Sequence, residues 1–335
     1  MTSATRDTES DHKATGRALS IRGLTIRVTT SKGTAYPVRD LDLDINAGEV
    51  VGLVGETGSG KSMTASSIVG LLPRSASIEN GAIELFGEDM TDSPDKVRKE
   101  LLGRRLGMVL QDPLSALDPV FTVREQVYEP LRFHQRLKGD ALKNRAIESL
   151  RRMRIPNVEQ RINDYPHQFS GGMRQRIVGA IAISGGAELL IADEPTTALD
   201  VTTQAAYLNH LKKLQRDTGM AILFITHDMA IVRALCDRVA VMYAGQVVEQ
   251  GTVSAVMNQP RHPYTHALLQ AIPTTTKSPG SRLYTIQGSP PPLYEEREPC
   301  AFAPRCPRST DECHTAQPPT VGNNDERRVK CWNPL

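Results

Sequence analysis

The chain has 335 residues, enough to bury a sizeable core and to hold one large domain with a smaller appendage. Apolar residues make up 39% and charged residues 23%, as in ordinary globular proteins, and 40 basic against 38 acidic residues leave a net charge of +2. This balance, with 4% aromatic residues, provides neither a broad positive field nor a stacking platform, so we expect no nucleic-acid partner.

The first segment of the chain, residues 1–18, is polar and charged and lacks periodicity. It predicts a disordered tail and offers no apolar segment for a secretory signal. A membrane-spanning helix needs about 20 consecutive apolar residues, and the sequence contains no such run. We therefore expect a cytoplasmic protein that reaches membranes only through partners.

Strand-like and helix-like patterns alternate along the next part of the chain. Alternating apolar positions begin at residue 19, and a short apolar strand at residues 50–54 runs into a glycine-rich loop and a helix predicted over residues 62–72. A further helix is predicted over residues 141–153, because apolar side chains recur on one face of it. These are Leu142, Ala146, Leu150 and Met153.

Two more apolar strands, at residues 189–192 and 221–226, end at polar side chains. Apolar strands that alternate with helices predict an α/β fold with a mostly parallel sheet covered on both faces. Beyond about residue 252 prolines become dense, which indicates a second, loop-rich module extending to residue 335.

The glycine-rich loop, residues 55–62, fits G-x-x-x-x-G-K-[ST] between a strand and a helix. Such a loop curls backbone N–H groups around phosphate, and the helix N-terminus adds the positive end of its dipole. Lys61 would reach the β- and γ-phosphates, and the Ser62 hydroxyl would bind Mg²⁺. The alternative, a turn without a ligand, is disfavoured by the strand–loop–helix context. The predicted nucleotide-binding residues here are Gly55, Glu56, Thr57, Gly58, Ser59, Gly60, Lys61, Ser62 and, in the helix, Thr64.

Two later segments carry matching chemistry. In Ser170, Gly171 and Gly172, paired glycines at a helix start give backbone donors room to approach an anion. Asp193 and Glu194 follow an apolar strand, where Asp193 would orient Mg²⁺ and Glu194 would polarise an attacking water as general base. An isolated Asp-Glu pair is usually a solvated strand end, but the upstream loop argues against that interpretation.

These motifs, in this order, resemble the ATPases of the ABC (ATP-binding cassette) family, in which the segment before Arg174, here Phe-Ser-Gly-Gly-Met, is usually written LSGGQ. The resemblance covers Ala18 to about Gly251. It implies a P-loop ABC ATPase over residues 19–251, with an antiparallel β subdomain and a helical signature subdomain at about 113–180. It also implies that ATP is the ligand and that Ser170, Gly171 and Gly172 contact the γ-phosphate held by the opposite subunit of a dimer. Asp200 belongs to the family's dimer-contacting loop.

The same resemblance gives roles to three other side chains. His227 matches a histidine that contacts the γ-phosphate, and Gln111 matches a glutamine that links Mg²⁺ and water to the membrane-subunit contact. We expect Leu117 and Phe121 to offer apolar anchors at that contact, although both could equally be core residues. Tyr36 is the candidate for stacking on adenine, although a tyrosine in a turn can equally be structural.

The loop-rich module resembles the extension of dipeptide, oligopeptide and nickel importer subunits, through residues 261–269 (Arg-His-Pro-Tyr-Thr-His-Ala-Leu-Leu), residues 288–293 and its cysteines. This implies import of a peptide or related small solute through two integral membrane permease subunits, fed indirectly by an extracytoplasmic solute-binding protein. The chain would be peripheral at the cytoplasmic face of the cell membrane. The Phe-Ser-Gly-Gly-Met form favours a heterodimer with a paralogous ATPase subunit.

Two other classes of function fit the sequence less well. A soluble ABC ATPase acting on ribosomes or DNA usually carries two cassettes or long coiled-coil insertions, and this chain has neither. A small-molecule kinase would not need the Ser-Gly-Gly segment.

Four of the five cysteines, Cys300, Cys306, Cys313 and Cys331, follow a C-x5-C-x6-C-x17-C spacing, unlike the paired C-x-x-C of a zinc ribbon. Clustered cysteines in a cytoplasmic protein favour metal binding over disulfides. The resemblance implies a [4Fe–4S] cluster, and zinc or reduced thiols without metal are the alternatives. Because no catalytic motif lies beyond about residue 252, we expect this module to be dispensable for nucleotide chemistry.

Overall fold

The structure, a computed structural model, describes residues 16–91, 100–112, 116–197, 199–272, 284–294, 299–323 and 327–335. Its strands are β1 (Arg17–Thr30), β2 (Gly33–Asn46), β3 (Val50–Val54), β4 (Ala76–Leu85), β5 (Glu88–Asp89), β6 (Leu106–Val109), β7 (Leu189–Asp193), β8 (Ala221–Thr226), β9 (Arg238–Tyr243), β10 (Gln246–Thr252), β11 (Thr320–Asn323) and β12 (Arg327–Lys330). Its helices are α1 (Lys61–Val69), α2 (Val123–Gln135), α3 (Gly139–Arg152), α4 (Val158–Arg161), α5 (Gly171–Ser184), α6 (Val201–Thr218), α7 (Met229–Leu235), α8 (Val253–Asn258), α9 (Pro263–Ala271) and α10 (Asp311–Thr315), with 3-10 turns at Pro166–Gln168 and Ala303–Arg305.

The main sheet has eight strands in the order β11-β12-β10-β9-β3-β8-β7-β6. The five strands from β9 to β6 are parallel, and the predicted apolar strands β3, β7 and β8 are buried throughout. This confirms the predicted mostly parallel sheet. Because parallel strands end at the same edge, the loops that follow β3, β7 and β8 lie together there.

A second sheet, antiparallel and ordered β2-β1-β4-β5, supplies the predicted antiparallel β layer. Its buried side chains share one apolar core with α1 and one face of the main sheet. β1 begins at Arg17, so the disordered tail predicted for residues 1–18 is wrong for Arg17 and Ala18, which already pair in the sheet. Residues 1–15 of that predicted tail lie outside the described residues.

A helical layer, α2 to α5, packs against the face of the main sheet opposite to the antiparallel sheet. The layer runs from Val123 to Ser184, four residues past the range of about 113–180 predicted for the helical subdomain, of which residues 113–115 are not described. The four apolar residues of the predicted packing face, on α3 and just after it, are all buried. The helix predicted over residues 62–72 is shorter, because Gly70 adopts a left-handed φ of 73° and caps α1 after Val69.

The C-terminal module continues the main sheet, since β12 pairs with β10 and places Val329 opposite Glu249. The Glu249 carboxylate is 0% exposed and accepts hydrogen bonds from the backbone amides of Arg261 and His262, each at 2.9 Å. Arg327 on β12 completes its neutralisation at 3.0 Å. One buried carboxylate on β10 therefore ties two segments of the module, residues 261–262 and β12, to the core.

We predict that Glu249→Gln loosens the C-terminal module, because it removes the charge that neutralises Arg327. Breaking one side of a buried pair typically lowers the free energy of unfolding by about 3–5 kcal/mol. Denaturant unfolding and limited proteolysis measure the loss. Glu79→Gln is the control, since the Arg27–Glu79 pair is exposed on both sides and contributes little. Equal stability of the two variants would contradict the anchoring role.

Candidate nucleotide site

The loop between β3 and α1 is packed so closely that two of its glycines have no room for a side chain. A Cβ on Gly60 would lie 2.0 Å from the Pro37 carbonyl oxygen, and φ of Gly60 is 107°, which favours glycine. A Cβ on Gly55 would lie 2.1 Å from the carbonyl oxygen of Met242. The loop thus keeps its curled shape through backbone contact with β9 and β2.

Lys61 is buried at the start of α1, and its side chain forms hydrogen bonds with the loop. Its ammonium group donates to the carbonyl oxygens of Gly55 and Glu56, each at 2.9 Å, and to Ser59 Oγ at 3.4 Å. Thr64, also buried, donates from Oγ1 to the Gly60 carbonyl at 3.1 Å. In this structure the side chains of Lys61 and Thr64, both predicted to bind nucleotide, therefore stabilise the conformation of the loop.

Carboxylates at the end of β7 face this ammonium group. Burial lowers the pKa of Lys61, and the negative charges of Glu194 and Asp193 act in the opposite direction. Burial likewise raises the pKa of Asp193, while a hydrogen bond from Ser62 lowers it. Asp193 Oδ1 is buried without a hydrogen-bond partner among the described residues. An orphaned carboxylate oxygen beside the Ser62 hydroxyl fits the oxygen ligands that Mg²⁺ prefers.

Glu194, the predicted general base, lies next to His227. The distance from Glu194 Oε2 to His227 Nδ1 is 3.2 Å, and Thr197 Oγ1 donates to the same carboxylate oxygen at 3.0 Å. The backbone of Glu194 has a left-handed φ of 45°, and its amide donates to the Ile225 carbonyl of β8 at 3.0 Å. Such backbone strain in a non-glycine residue is typical of functional sites.

Gln111 and Tyr36 lie further out. Gln111 is exposed just beyond β6, which pairs in parallel with β7, so it lies at the same sheet edge as Asp193. Tyr36 lies within β2, and the expectation of a turn there is wrong. Its amide donates to the Leu293 carbonyl at 2.8 Å, and the guanidinium of Arg39 lies 5.2 Å from the ring centroid.

The Ser-Gly-Gly segment opens α5, where Ser170 Oγ accepts from the Met173 amide at 3.4 Å. Gly172 packs closely against α6, since a Cβ at Gly172 would lie 2.6 Å from Thr203 Cγ2. Asp200 caps α6 by accepting from the amide and hydroxyl of Thr203, at 2.9 and 2.7 Å. Across the described ranges, no hydrogen bond or ion pair joins the Ser-Gly-Gly segment to residues 55–62 of its own chain.

Two residues that the sequence analysis missed contact the phosphate-binding loop from the C-terminal module. The Glu56 amide donates to the Tyr264 hydroxyl oxygen at 3.0 Å, and Arg305 Nη1 lies 3.1 Å from both carboxylate oxygens of Glu56. The His-Pro-Tyr-Thr motif was a signal for Tyr264, whereas nothing in the sequence marks Arg305. The module was expected to be dispensable for nucleotide chemistry because it carries no catalytic motif, and these contacts with the phosphate-binding loop argue against that expectation.

The four clustered cysteines line one small cavity, together with His262, Pro263 and Phe302 among others. None of these four is in a disulfide. Burial, with a contribution from neighbouring thiols, raises the pKa of Cys300 and Cys306, and that of Cys331 to about 11. Within the part of the chain that the structure describes, however, no three His, Cys, Asp or Glu side chains are grouped so as to hold a metal ion. The predicted iron–sulfur cluster therefore gains no support from this arrangement.

None of the helices in the described ranges is long and apolar enough to cross a bilayer.

Comparison with known proteins bears on the same segments. A model of the ABC transporter family matches residues 38–197, and a model of the oligopeptide/dipeptide transporter C-terminal region matches residues 248–313. The chain is 42% identical to the dipeptide transport ATP-binding protein DppD of Bacillus subtilis over 94% of both chains. It is 40% identical to DppD of Escherichia coli over 95% of this chain and 97% of that protein.

Solved structures show the same cassette. The dimeric ATP-binding cassette MJ0796, in a post-hydrolysis state with ADP and phosphate, has a TM-score of 0.63 and 27% identity over 70% of this chain and 98% of that one. CbiO1 of Clostridium perfringens has a TM-score of 0.62 and 27% identity over 72% and 91%.

The relatives and the C-terminal match do not favour the alternative of a ribosome- or DNA-directed ATPase. ATP and Mg²⁺ are the cofactors expected of this family, and the loop with Ser62 and Asp193 fits both. On its motifs, its fold and nearly full-length relatives, the chain belongs to the ATP-binding proteins of ABC transporters, in the branch that carries the oligopeptide/dipeptide transporter C-terminal region.

Proposed function

We propose that this chain binds and hydrolyses ATP with Mg²⁺ at a dimer interface to power import of peptides or a related small solute through separate membrane subunits. The observation that carries the proposal is the grouping of Lys61, Asp193, Glu194 and His227 at one edge of the parallel sheet. The names of the relatives, dipeptide and oligopeptide transport ATP-binding proteins, support the transport role.

Each group at this edge has a distinct task in hydrolysis. The loop amides and Lys61 bind the phosphates, and Ser62, Asp193 and Gln111 would hold Mg²⁺, which would neutralise phosphate charge. A water oxygen attacks the γ-phosphorus in line, the bond to the β–γ bridging oxygen breaks, and the Glu194 carboxylate takes the proton of the water. His227 orients Glu194 through their 3.2 Å contact and reaches the γ-phosphate.

The Ser-Gly-Gly segment completes the site of a second subunit. Support comes from its lack of polar contact with residues 55–62 in the described parts of its own chain, and from the dimeric cassette among the similar structures. The start of α5, with amides of Gly171 and Gly172 unused by the preceding turn, suits the terminal phosphate of that subunit's ATP. We propose a paralogous ATPase as the second subunit, because methionine replaces the usual glutamine after Gly172. Tyr36 remains our candidate for the adenine contact, and Asp200 for the loop between subunits.

We predict that Glu194→Gln lowers ATP turnover by about 10²–10⁴, the usual contribution of a general base, while ATP still binds and holds the dimer closed. Steady-state hydrolysis and sedimentation with ATP measure the two effects. Glu188→Gln is the matched control, because Glu188 lies just before the first residue of β7, whereas Glu194 lies just after the last, and because Glu188 pairs with Arg105 at the surface. Turnover of Glu194→Gln near that of the control would remove Glu194 from the base role.

Two permease subunits, with a solute-binding protein acting through them, place the chain peripherally at the cytoplasmic face of the membrane. In the segment of the chain around Gln111 the side chains of Leu110, Val120 and Phe121 are exposed, and we propose that they offer apolar contacts to a short permease helix. Leu117 is buried in the core, and its predicted role as an anchor is wrong. The contact surface therefore consists of Leu110, Val120 and Phe121.

We predict that Phe121→Asp uncouples transport from hydrolysis, since a charge in an apolar contact removes permease binding without touching the phosphate site. Phe121 is 49% exposed, so the free chain should keep its stability and basal ATPase rate. Phe133→Asp on α2 is the control, because Phe133 is 74% exposed and outside the contact surface. Solute uptake by vesicles carrying the assembled transporter should fall only in Phe121→Asp. Unchanged uptake would place the contact elsewhere.

The cysteine cavity is proposed to hold a [4Fe–4S] cluster. The support is the module's resemblance to importer subunits and its four clustered thiols, the ligand type and number that such a cluster takes. Among the described residues the four side chains are not grouped so as to hold a metal ion, so binding would draw them together and order a segment with few apolar residues. Thiolates are the binding form, so the raised thiol pKa values mean that binding releases protons.

Anaerobically purified protein is then expected to be brown and to contain about four irons per chain. Cys306→Ser should remove iron and loosen residues 299–335 in proteolysis, whereas Cys236→Ser, on a cysteine outside the cavity, should do neither. Colourless protein with stoichiometric zinc, or a tail equally protected in Cys306→Ser, would overturn the assignment. The ATPase proposal does not depend on it.

A further inference from the structure

We infer that Arg305 of the C-terminal module is a positioning residue for ATP, because it neutralises the Glu56 carboxylate that the chain carries inside its phosphate-binding loop. The inference rests on the proposed role of residues 55–62 in binding phosphate. It gives the C-terminal module a part in nucleotide affinity, which no catalytic motif within it suggests.

The Arg305–Glu56 pair is held in a defined geometry. Arg305 Nη1 lies 3.1 Å from both carboxylate oxygens of Glu56 and donates to the Tyr243 hydroxyl at 3.2 Å. Arg305 Nε donates to the Gln287 carbonyl at 2.9 Å. The Arg305 side chain is 5% exposed, so its position is set by these four acceptors and not by solvent.

A second contact fixes the backbone at the same residue. The Tyr264 hydroxyl accepts a hydrogen bond from the Glu56 amide at 3.0 Å, and the Glu56 carbonyl accepts one from the Ser59 amide at 3.1 Å, so the backbone at Glu56 is fixed on both sides. The rings of Tyr243, Tyr264 and Phe302 pack with centroid distances of 4.5 to 5.4 Å, and this aromatic cluster carries both contacts. Tyr264 lies on α9, which begins with His262 as N-cap and Pro263 in its first turn.

Charge explains why the pair matters for ATP. A carboxylate in a loop that wraps a triphosphate repels it, and solvent screens that repulsion only in part because the Glu56 side chain is 25% exposed. Lys61 supplies positive charge to the phosphates but is already drawn to the Glu56 carbonyl. Arg305 brings the net charge of the Glu56 position close to zero, so the loop presents amides and Lys61 to the nucleotide without an opposing charge.

The two single variants of the pair should therefore act in opposite directions. Arg305→Met should raise the dissociation constant for ATP about tenfold, the usual effect of losing one charge-assisted contact, with a smaller effect on kcat. Glu56→Gln should bind ATP at least as tightly as the wild type. The double variant Glu56→Gln/Arg305→Met should recover most of the lost affinity. AMP, with fewer charges, should respond least. A pair that served only folding would weaken ATP binding in both single variants.

The measurements are equilibrium binding of ATP, ADP and AMP to the full chain, and KM and kcat for ATP in the assembled transporter. Arg328→Met is the control, since Arg328 joins β12 to Asp42 at 3.2 Å, away from the loop. It should lower thermal stability without changing ATP affinity. Where Arg305→Met does not fold, the signs for Glu56→Gln and for Tyr264→Phe, which should raise KM several-fold, still decide.

Unchanged affinity in Arg305→Met, or a loss of affinity in Glu56→Gln, would overturn the inference. Wild-type protein that neither binds nor hydrolyses ATP would instead refute the proposed function, so the two failures are distinguishable.

Discussion

The parallel pairing of β3 with β8, and of β8 with β7, is the constraint on which the site depends. Each strand runs the same way, so each ends at one edge of the sheet, and the residue that follows carries chemistry. Lys61 follows the loop after β3, Glu194 follows β7 and His227 follows β8. A shift of one residue in any of these registers would reverse the faces of the strand and move its terminal side chain away. The apolar faces of the three strands, buried on both sides, hold the registers in place.

The C-terminal module uses the same sheet in a different way. Antiparallel addition of β12 to β10 extends the sheet beyond the ATPase core, and the buried Glu249 carboxylate gathers the start of α9 and Arg327 at that border. From there the module reaches back to the loop through Tyr264 and Arg305. A segment with few apolar residues of its own is thus held by charge pairing, by aromatic packing with Tyr243 and by strand addition, and its position bears directly on Glu56.

Patterns of local origin were predictable from the sequence. The apolar strands, the glycine-rich loop, the packing face of α3 and the polar residues after β7 and β8 are all set by residues close together in the chain. The predicted ends of helices were less accurate. Gly70, in a left-handed conformation, ends α1 before the apolar pattern of the sequence ends. Tyr36 was expected to lie in a turn, yet the strand that pairs with β1 includes it, and such pairing joins segments that no local pattern connects.

Contacts between distant segments could not be predicted. The partners of Glu56 lie 208 and 249 residues away along the chain, and no local pattern joins them. Leu117 and Phe121 have similar sequence character, but one is buried and the other exposed, because packing against the helical layer decides which side chain is covered.

Hydrolysis of ATP is proposed to need a site built from two subunits. The most direct test is the specific ATPase activity at saturating Mg²⁺ and ATP over a wide range of protein concentration, alone and with the paralogous subunit, with the association state measured by sedimentation. We predict that activity per chain rises with the dimer population and is lost on dilution to monomer. Undiminished activity in a sample shown to be monomeric would contradict it.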